Sequence, residues 1–387
     1  MPIQNAFTLT ANEVFSSLAN MYISQQVFAD NLGKHQTLVD KARVDGSMYG
    51  DTKLYYSTDV LKSHEWTGDA EASNLLALDR PKDPEVQAIK LDVFRQIRLT
   101  VDNYLTKRGF STEGAFGEFN SVMLGWLRET KRVYDGTLYN TFIGTDETST
   151  GKQQMTITTN ADGNSAGENI ARGMADLFTD MGDYTTDYND YGHLRSYSDD
   201  QIKVVWNAKY VNAVKKIDLP SIFHNETLEK TFVGDVLPKK YFGITLTSDN
   251  ISTYSASTPT TGKPINSGTG AYTPGTNNAN GTVRAVYEAE VTVSGTTYHV
   301  FPGQEIPAGA TVKASGDFEL GTVYIEDATI ICKVLVKLPP IMSAFESGTV
   351  FFNPRSLTEN HYLTWGHNSL AHLKNYPMIT IREVIAS

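Results

Sequence analysis

Four groups of residues in this 387-residue sequence have types and spacings from which chemistry can be built. The first runs from Gly144 to Lys152 and ends in Gly-Lys, as a phosphate-cradling loop does. Six residues separate its glycines and Gln153 follows the lysine, whereas such a loop has four between them and then Ser or Thr. The second is His361, His367 and His372, three imidazoles that could ligate a metal. Their spacings of six and five share no helical face, and no HExxH pattern occurs. The third is Asp183, Asp187 and Asp190, whose oxygens suit Ca²⁺ but whose spacing is not that of an EF-hand loop; a solvated acidic loop is the plainer reading. The fourth is Cys332, set in an apolar β-prone run and so read as an inert buried thiol. No GxSxG nucleophile elbow is present. The sequence therefore predicts a non-enzyme, with no catalytic residue, no cofactor and no metal ligand assigned.

Composition narrows the class. The net charge of −11 argues against a protein whose main task is gripping phosphates, because that affinity comes from clustered Lys and Arg. It leaves open a wall that encloses nucleic acid without holding it. One cysteine allows no intrachain disulfide and no cysteine-based metal cage. Residues 1–10 lack a basic stretch followed by an apolar one, so no signal peptide is expected. No run of about 18 apolar residues suggests a membrane span. Synthesis in a reducing cytoplasm fits, and makes the sequons at Asn225, Asn250 and Asn280 chance matches. The 20 Tyr and 17 Phe supply large amphipathic contact surfaces.

The elements that would position these residues are organised around residues 112–142. Phe116, Phe119, Met123, Trp126, Leu127, Val133, Tyr134, Leu138 and Phe142 recur at the helical period, opposite Glu118, Arg128, Glu129, Lys131, Arg132 and Asp135. Ser111 or Thr112 would cap this helix and Gly144 would end it. At 1.5 Å per residue it spans roughly 45 Å. Gly117, Gly125 and Gly136 inside it call for close neighbours or a bend.

Before it, residues 1–45 read as an arm with one modest amphipathic helix and no core of its own. Residues 53–62 are β-prone. Residues 86–101 alternate strictly: Ile89, Leu91, Val93, Ile97, Leu99 and Val101 share one side, with Arg95 its one charge. The simplest picture is a long two-stranded projection with a loose tip. A hairpin of that kind is barely stable alone and needs a partner surface. The alternative is a pair of strands in an ordinary sheet.

After the long helix, residues 166–181 predict a second helix and residues 201–206 a strand. Asn207 would cap a third helix over 208–216. Residues 247–282 are rich in Ser, Thr, Gly, Asn and Pro, and 283–338 read as all-β with a hairpin turn at Ser294-Gly295. Residues 247–325 thus look like a β-rich insertion in an α/β body. Short strands, including 378–384, close the chain.

This order of parts resembles the major capsid protein of tailed bacteriophages, the Hong Kong 97-type fold. Residues 51–106 resemble its extended loop and 112–142 its spine helix. Residues 202–216, with Val204-Val205-Trp206-Asn207 and Tyr210-Val211, resemble the strand, Asn and helix that begin its axial region, and 351–384 its closing peripheral strands. The resemblance implies an α+β fold divided into an N-terminal arm (1–50), an extended loop (51–106), a peripheral domain with the spine helix (107–160) and an axial domain (161–246). The β-rich insertion (247–325) and the return strands (326–387) complete it. It further implies a structural head protein that self-assembles into hexamers and pentamers of an icosahedral shell around double-stranded DNA, without sequence-specific contacts and without a membrane. A portal protein is an implied partner. Because Met1 leads almost directly into the arm, a separate scaffolding protein is expected. Relatives that crosslink subunits join a Lys of the extended loop to an Asn; Lys53 and Lys62, and Asn353, Asn360 and Asn368, lie in the corresponding regions, with no pair assigned. The alternatives are a tail or host-attachment protein using the insertion for recognition, and a hydrolase whose site escapes the motifs above.

Overall fold

The computed structural model describes residues 37–45, 52–63, 78, 80–102, 113–146, 154–159, 166–215, 234–246, 282–307, 310 and 321–385. The expected arm helix, the caps Ser111 and Thr112, the glycine-lysine end of the 144–152 loop and the polar stretch 247–281 lie outside them.

Helix α1 (Thr37–Ala42) and strand β1 (Arg43–Asp45) come first, followed by β2 (Thr52–Ser57) and β3 (Glu85–Asp102). Helix α2 (Glu113–Gly144) is the long helix, 32 residues against the expected 31. Strands β4 (Thr145–Asp146) and β5 (Gln154–Thr159), helix α3 (Ala166–Gly182), strand β6 (Lys203–Asn207) and helix α4 (Ala208–Lys215) make the middle. Then come β7 (Asp235–Leu237), β8 (Gly243–Thr245), β9 (Val283–Ala285), β10 (Ala289–Val293), β11 (Thr296–Val300) and β12 (Val323–Glu326). Strands β13 (Ile330–Leu335), β14 (Ile341–Asn353), β15 (Thr358–Asn368) and β16 (Met378–Ile385) end the chain.

Two five-stranded sheets carry the body. The first has the order β1-β14-β15-β3-β2, and α2 lies against it. Leu127, Tyr134 and Leu138 of α2 meet Leu363 and Trp365 of β15 in one buried cluster. The second sheet has the order β5-β16-β13-β6-β7. Ile170, Met174, Leu177, Phe178 and Met181 of α3, all buried, pack with β13 and β6 as the helical spacing predicts. A smaller sheet, β4-β8-β12-β9, and the β10–β11 hairpin share a third cluster around Val283, Val291 and Val323. Strand β8 lies before residue 247 and β12 spans residue 325, so this sheet reaches across both expected limits of the insertion.

Several local expectations agree in residue and in cause. Asn207 accepts the Lys209 N–H at 3.1 Å and caps α4, while its amide donates to the Ile330 carbonyl at 2.9 Å. Ser294 and Gly295 form the two-residue hairpin turn, both with positive φ (52° and 82°), as a primed turn requires. Gly144 is the last residue of α2 as expected, and it also permits a close approach: a Cβ there would sit 2.2 Å from the Tyr241 carbonyl oxygen. Within the expected all-β stretch, β12 and β13 are separated at residues 327–329, where Asp327 Oδ1 accepts the Thr329 N–H (2.9 Å) and hydroxyl (2.7 Å) in an Asx turn.

Three expectations change. Strand β2 spans only Thr52–Ser57 and pairs with residues 85–90 of β3; from Leu91 to Asp102 the long strand pairs with β15 instead. The two-stranded projection is therefore the end of a strand rooted in the body sheet. The closing strands divide: β15 stays with β3, whereas β16 joins β13 in the other sheet. Lys131 and Asp135, placed on the solvent face of α2, are buried (6% and 4% exposed), and Trp126, placed in the stripe, is 40% exposed. Helix α2 is covered on two sides, because α1 packs Leu38, Val39 and Ala42 into the same cluster. Lys131 Nζ then meets Asp135 at 3.4 Å and Glu346 at 3.1 Å, and Arg43 of β1 meets Asp135 at 3.4 Å. Burial pushes the Asp135 carboxyl up; Lys131 and Arg43 offset part of that.

Candidate assembly surface

The exposed part of the molecule begins with the pairing of β2 and β3. Side chains paired in an antiparallel ladder point to one face. Leu54 faces Ala88 and Tyr56 faces Val86. Leu54, Tyr56 and Val86 are 49%, 64% and 46% exposed, and Val60 and Leu61 just beyond are more than half exposed. The opposite face is anchored: Tyr55, Ile89 and Leu91 pack with Met342, Leu373 and Tyr376. The alternation predicted from sequence thus holds one face of this ribbon on the body and leaves the other bare.

A second bare apolar patch lies at the β14–β15 turn, where Val350, Phe351, Phe352 and Leu357 are exposed. Pairing of Thr358 with Asp102 places it at the other end of β3 from the ribbon. Leu357 has φ of 55°, a left-handed conformation unusual for a leucine, at a turn where Asn353 Oδ1 accepts the Arg355 N–H at 3.1 Å. The two patches therefore mark opposite ends of an 18-residue strand, about 60 Å of extended chain.

Between them, Arg95 finds partners that sequence could not supply. Its guanidinium lies 5.4 Å from the Tyr134 ring centroid and 3.7 Å from the Glu288 carboxylate before β10. Glu288 also meets His299 at 2.6 Å. Tyr134 Oη lies 3.0 Å from His367 Nε2, and His367 Nδ1 lies 2.9 Å from the Asn368 carbonyl oxygen. A carbonyl only accepts, so Nδ1 carries the proton and Nε2 accepts from Tyr134. Burial holds the His367 imidazolium down and raises the Tyr134 hydroxyl to about 12.

One constellation has the outline of a nucleophile with its base. Ser57 Oγ lies 2.8 Å from His193 Nδ1, and both are buried. The hydroxyl's only proton goes to Asn375 Oδ1 at 2.6 Å, while Arg195 Nη2 donates to Ser57 Oγ at 3.3 Å. With its proton committed, Ser57 Oγ can only accept from His193, so the histidine is not placed to deprotonate it. The arrangement fixes position. The other candidates fall into separate places. His361 sits beside Glu359 and His372 pairs with Asp190 at 2.6 Å, both far in role from His367. Asp183 accepts the Tyr184 N–H at 2.7 Å, and Asp190 is taken by His372. Cys332 is fully buried, with its thiol raised by burial. Among the described residues no group of three or more His, Cys, Asp or Glu could hold a metal ion.

No family model and no curated protein matches the chain. Solved structures do. The capsid structure of Staphylococcus phage Andhra aligns over 89% of this chain and 83% of its own, with a TM-score of 0.55 at 10% identity. A chain in the structure of the head fiber and inner core protein gp22 of native bacteriophage P68 aligns over 88% and 83%, with a TM-score of 0.54 at 11% identity. This chain has the tailed-phage capsid fold of the Hong Kong 97 type.

The asparagines singled out from sequence differ in availability. Asn368 is 1% exposed and spends its side chain on the Met342 N–H and the Pro340 carbonyl, which closes it to a neighbour. Asn360 accepts from Thr100 at 2.7 Å on an exposed face. Sequence reasoning missed the exposed run 350–352; three adjacent apolar residues before a Pro-containing turn were its only signal.

Proposed function

We propose that this chain is the major capsid protein of a tailed phage, self-assembling into hexamers and pentamers of an icosahedral shell that encloses double-stranded DNA. The capsid fold spanning nine-tenths of the chain supports this reading, and the bare ribbon carries it. A monomer seldom leaves large contiguous apolar surface in water. Here Leu54, Tyr56 and Val86 lie on a ribbon whose other face is already anchored, so their cover comes from outside the subunit. Two unlike patches at opposite ends of β3 suit a head-to-tail contact, the kind that closes into rings.

The partners follow from that role. They are copies of itself, a scaffolding protein that sets curvature, a portal protein at one vertex, and packaged DNA met without sequence-specific contacts. The net charge of −11 fits a lining that does not adhere to DNA. The division into arm, extended loop, peripheral and axial domains, insertion and return strands belongs to the same proposal. Electron microscopy of the purified protein, alone and co-expressed with its scaffold, tests it. Closed particles of uniform diameter are expected; a monodisperse monomer in both preparations would refute it.

A further inference from the structure

Gly136 is buried inside α2, which stays helical on both sides of it. A glycine lowers helix propensity at its position, so this is a point where the helix is easily lost. The β-rich unit holds α2 on both sides of that point. The unit comprises the sheet β4-β8-β12-β9 and the β10–β11 hairpin, which share one core.

Beyond Gly136 the end of the helix is built into the unit. Gly144 is followed directly by β4, whose Thr145 and Asp146 pair in parallel with Gly243 and Ile244 of β8. The turn Lys239–Tyr241, just before β8, lies against the same helix end, with the Tyr241 carbonyl oxygen in the space a Cβ at Gly144 would need. Against the Tyr241 ring lies Gly303, with φ of 77°. A Cβ at Gly303 would come within 2.7 Å of Tyr241 Cε1 and 3.3 Å of Thr141 Oγ1. Asn140 of α2 hydrogen-bonds to the Tyr241 side chain. The Tyr324 hydroxyl donates to the Lys240 carbonyl at 2.6 Å, which fixes the turn to β12.

Before Gly136 the hold is made at Tyr134. Arg95 of β3 lies between the Tyr134 ring and the Glu288 carboxylate, and its Nη2 also donates to the Glu288 carbonyl at 3.4 Å. Tyr287 packs against the cluster that contains Tyr134 and Leu138. Tyr134 and Gly144 stand about 15 Å apart along the helix axis. To lose helix at Gly136, the two holds must move relative to each other. Both belong to one packed unit, and packed cores resist such strain. The two glycine contacts admit an approach that any other residue would block, closer than a unit used only for outward recognition requires.

We propose that the β-rich unit is an internal brace that keeps α2 helical across Gly136. The brace is made of contacts within one chain and does not rest on the shell reading.

Hydrogen exchange on the full chain, as the unassembled subunit, tests it with changes confined to the brace. Gly303→Ala drives a methyl group toward the Tyr241 ring, and Glu288→Gln removes the charge that Arg95 meets. In the double variant, amides 136–140 are expected to exchange about tenfold faster or more, while Ile170 to Leu177 of α3 and Cys332 to Leu335 of β13 keep their protection. Wild-type exchange at 136–140 in the folded double variant overturns the brace. So does an equal acceleration in β13, which would make these contacts part of the general stability of the fold. If the double variant does not fold, the same criteria are read from Glu288→Gln alone, which keeps the side-chain shape.

Discussion

His367 occupies the middle of a buried hydrogen-bond path from Tyr134 to the Asn368 carbonyl, and burial favours the neutral ring, whose Nε2 accepts from the tyrosine. Burial is the larger cause of its lowered pKa, with Arg95 adding to it and Asp135 and the Asn368 carbonyl opposing. The folded-state pKa therefore lies below the unfolded value of 6.5. The unfolded chain takes up a proton first, so the stability this residue contributes is full above pH 6.5 and is lost as pH falls below it toward the folded pKa. Asp135 works in the opposite sense: its raised pKa means that protonation at lower pH relieves a buried charge. Urea midpoints measured from neutral pH down to about pH 5 should fall in the wild type and fall less steeply in His367→Gln. Equal slopes would show that the ring is not held neutral. Gly144 gives a second residue-scale test. A methyl group there meets the Tyr241 carbonyl at 2.2 Å, with backbone rather than a mobile side-chain tip in the way. Gly144→Ala should lower stability by about 1–3 kcal/mol, read from the urea midpoint, although alanine is the better helix former.

At the scale of elements, the bare face of the ribbon makes its own prediction. Replacing Leu54, Tyr56 and Val86 together by Ser removes apolar groups about half exposed or more and leaves every buried core residue in place. The variant should melt within about 2 °C of wild type yet yield no closed particles, since surface substitutions away from packed features usually cost little. Particles forming at wild-type yield would place the subunit contact elsewhere. The contrast between this ribbon and the rest of the fold shows what sequence could convey. Residues 86–101 announced a strand with two unlike faces because alternation is a local signal, and α2 and α3 announced themselves through steps of three and four. The partner of a strand is not a local property. That β3 would pass from β2 to β15 at Leu91 depends on residues some 270 positions later. The second cover on α2 depends likewise on α1, so Lys131 and Asp135 read as solvent-facing until Arg43 and Glu346 close over them. Asn207 and the Ser294-Gly295 turn were legible because caps and turns answer to residues two positions away. The grip on Ser57 was not, since it draws on residues 193–195 and 375, which no spacing connects.

Over the whole molecule, burial alternates along β2 and β3 of the first sheet and is complete in β13 of the second five-stranded sheet and β12 of the smaller one. All six residues of β13 and all four of β12 are buried, whereas β2 and β3 alternate between exposed and half-buried along almost their full length. Backbone groups in fully covered central strands open only with the global transition, while those on a one-sided ribbon open locally. Hydrogen exchange in the unassembled subunit should therefore rank Cys332 to Leu335 slowest and residues 54–61 and 86–94 among the fastest of the strand residues. A shell subunit adds a second condition. Once neighbours cover the ribbon and the β14–β15 turn, exchange at 54–61, 86–94 and 349–357 should slow by about tenfold or more, and β13 should not change, because its cover is already complete within one chain. The pairing of these outcomes separates assembly from general stiffening, which would slow β13 as well. If the ribbon were already as slow as β13 in the free subunit, its apolar face would have a partner inside the chain, and the two patches at the ends of β3 would no longer be available to join one copy to the next.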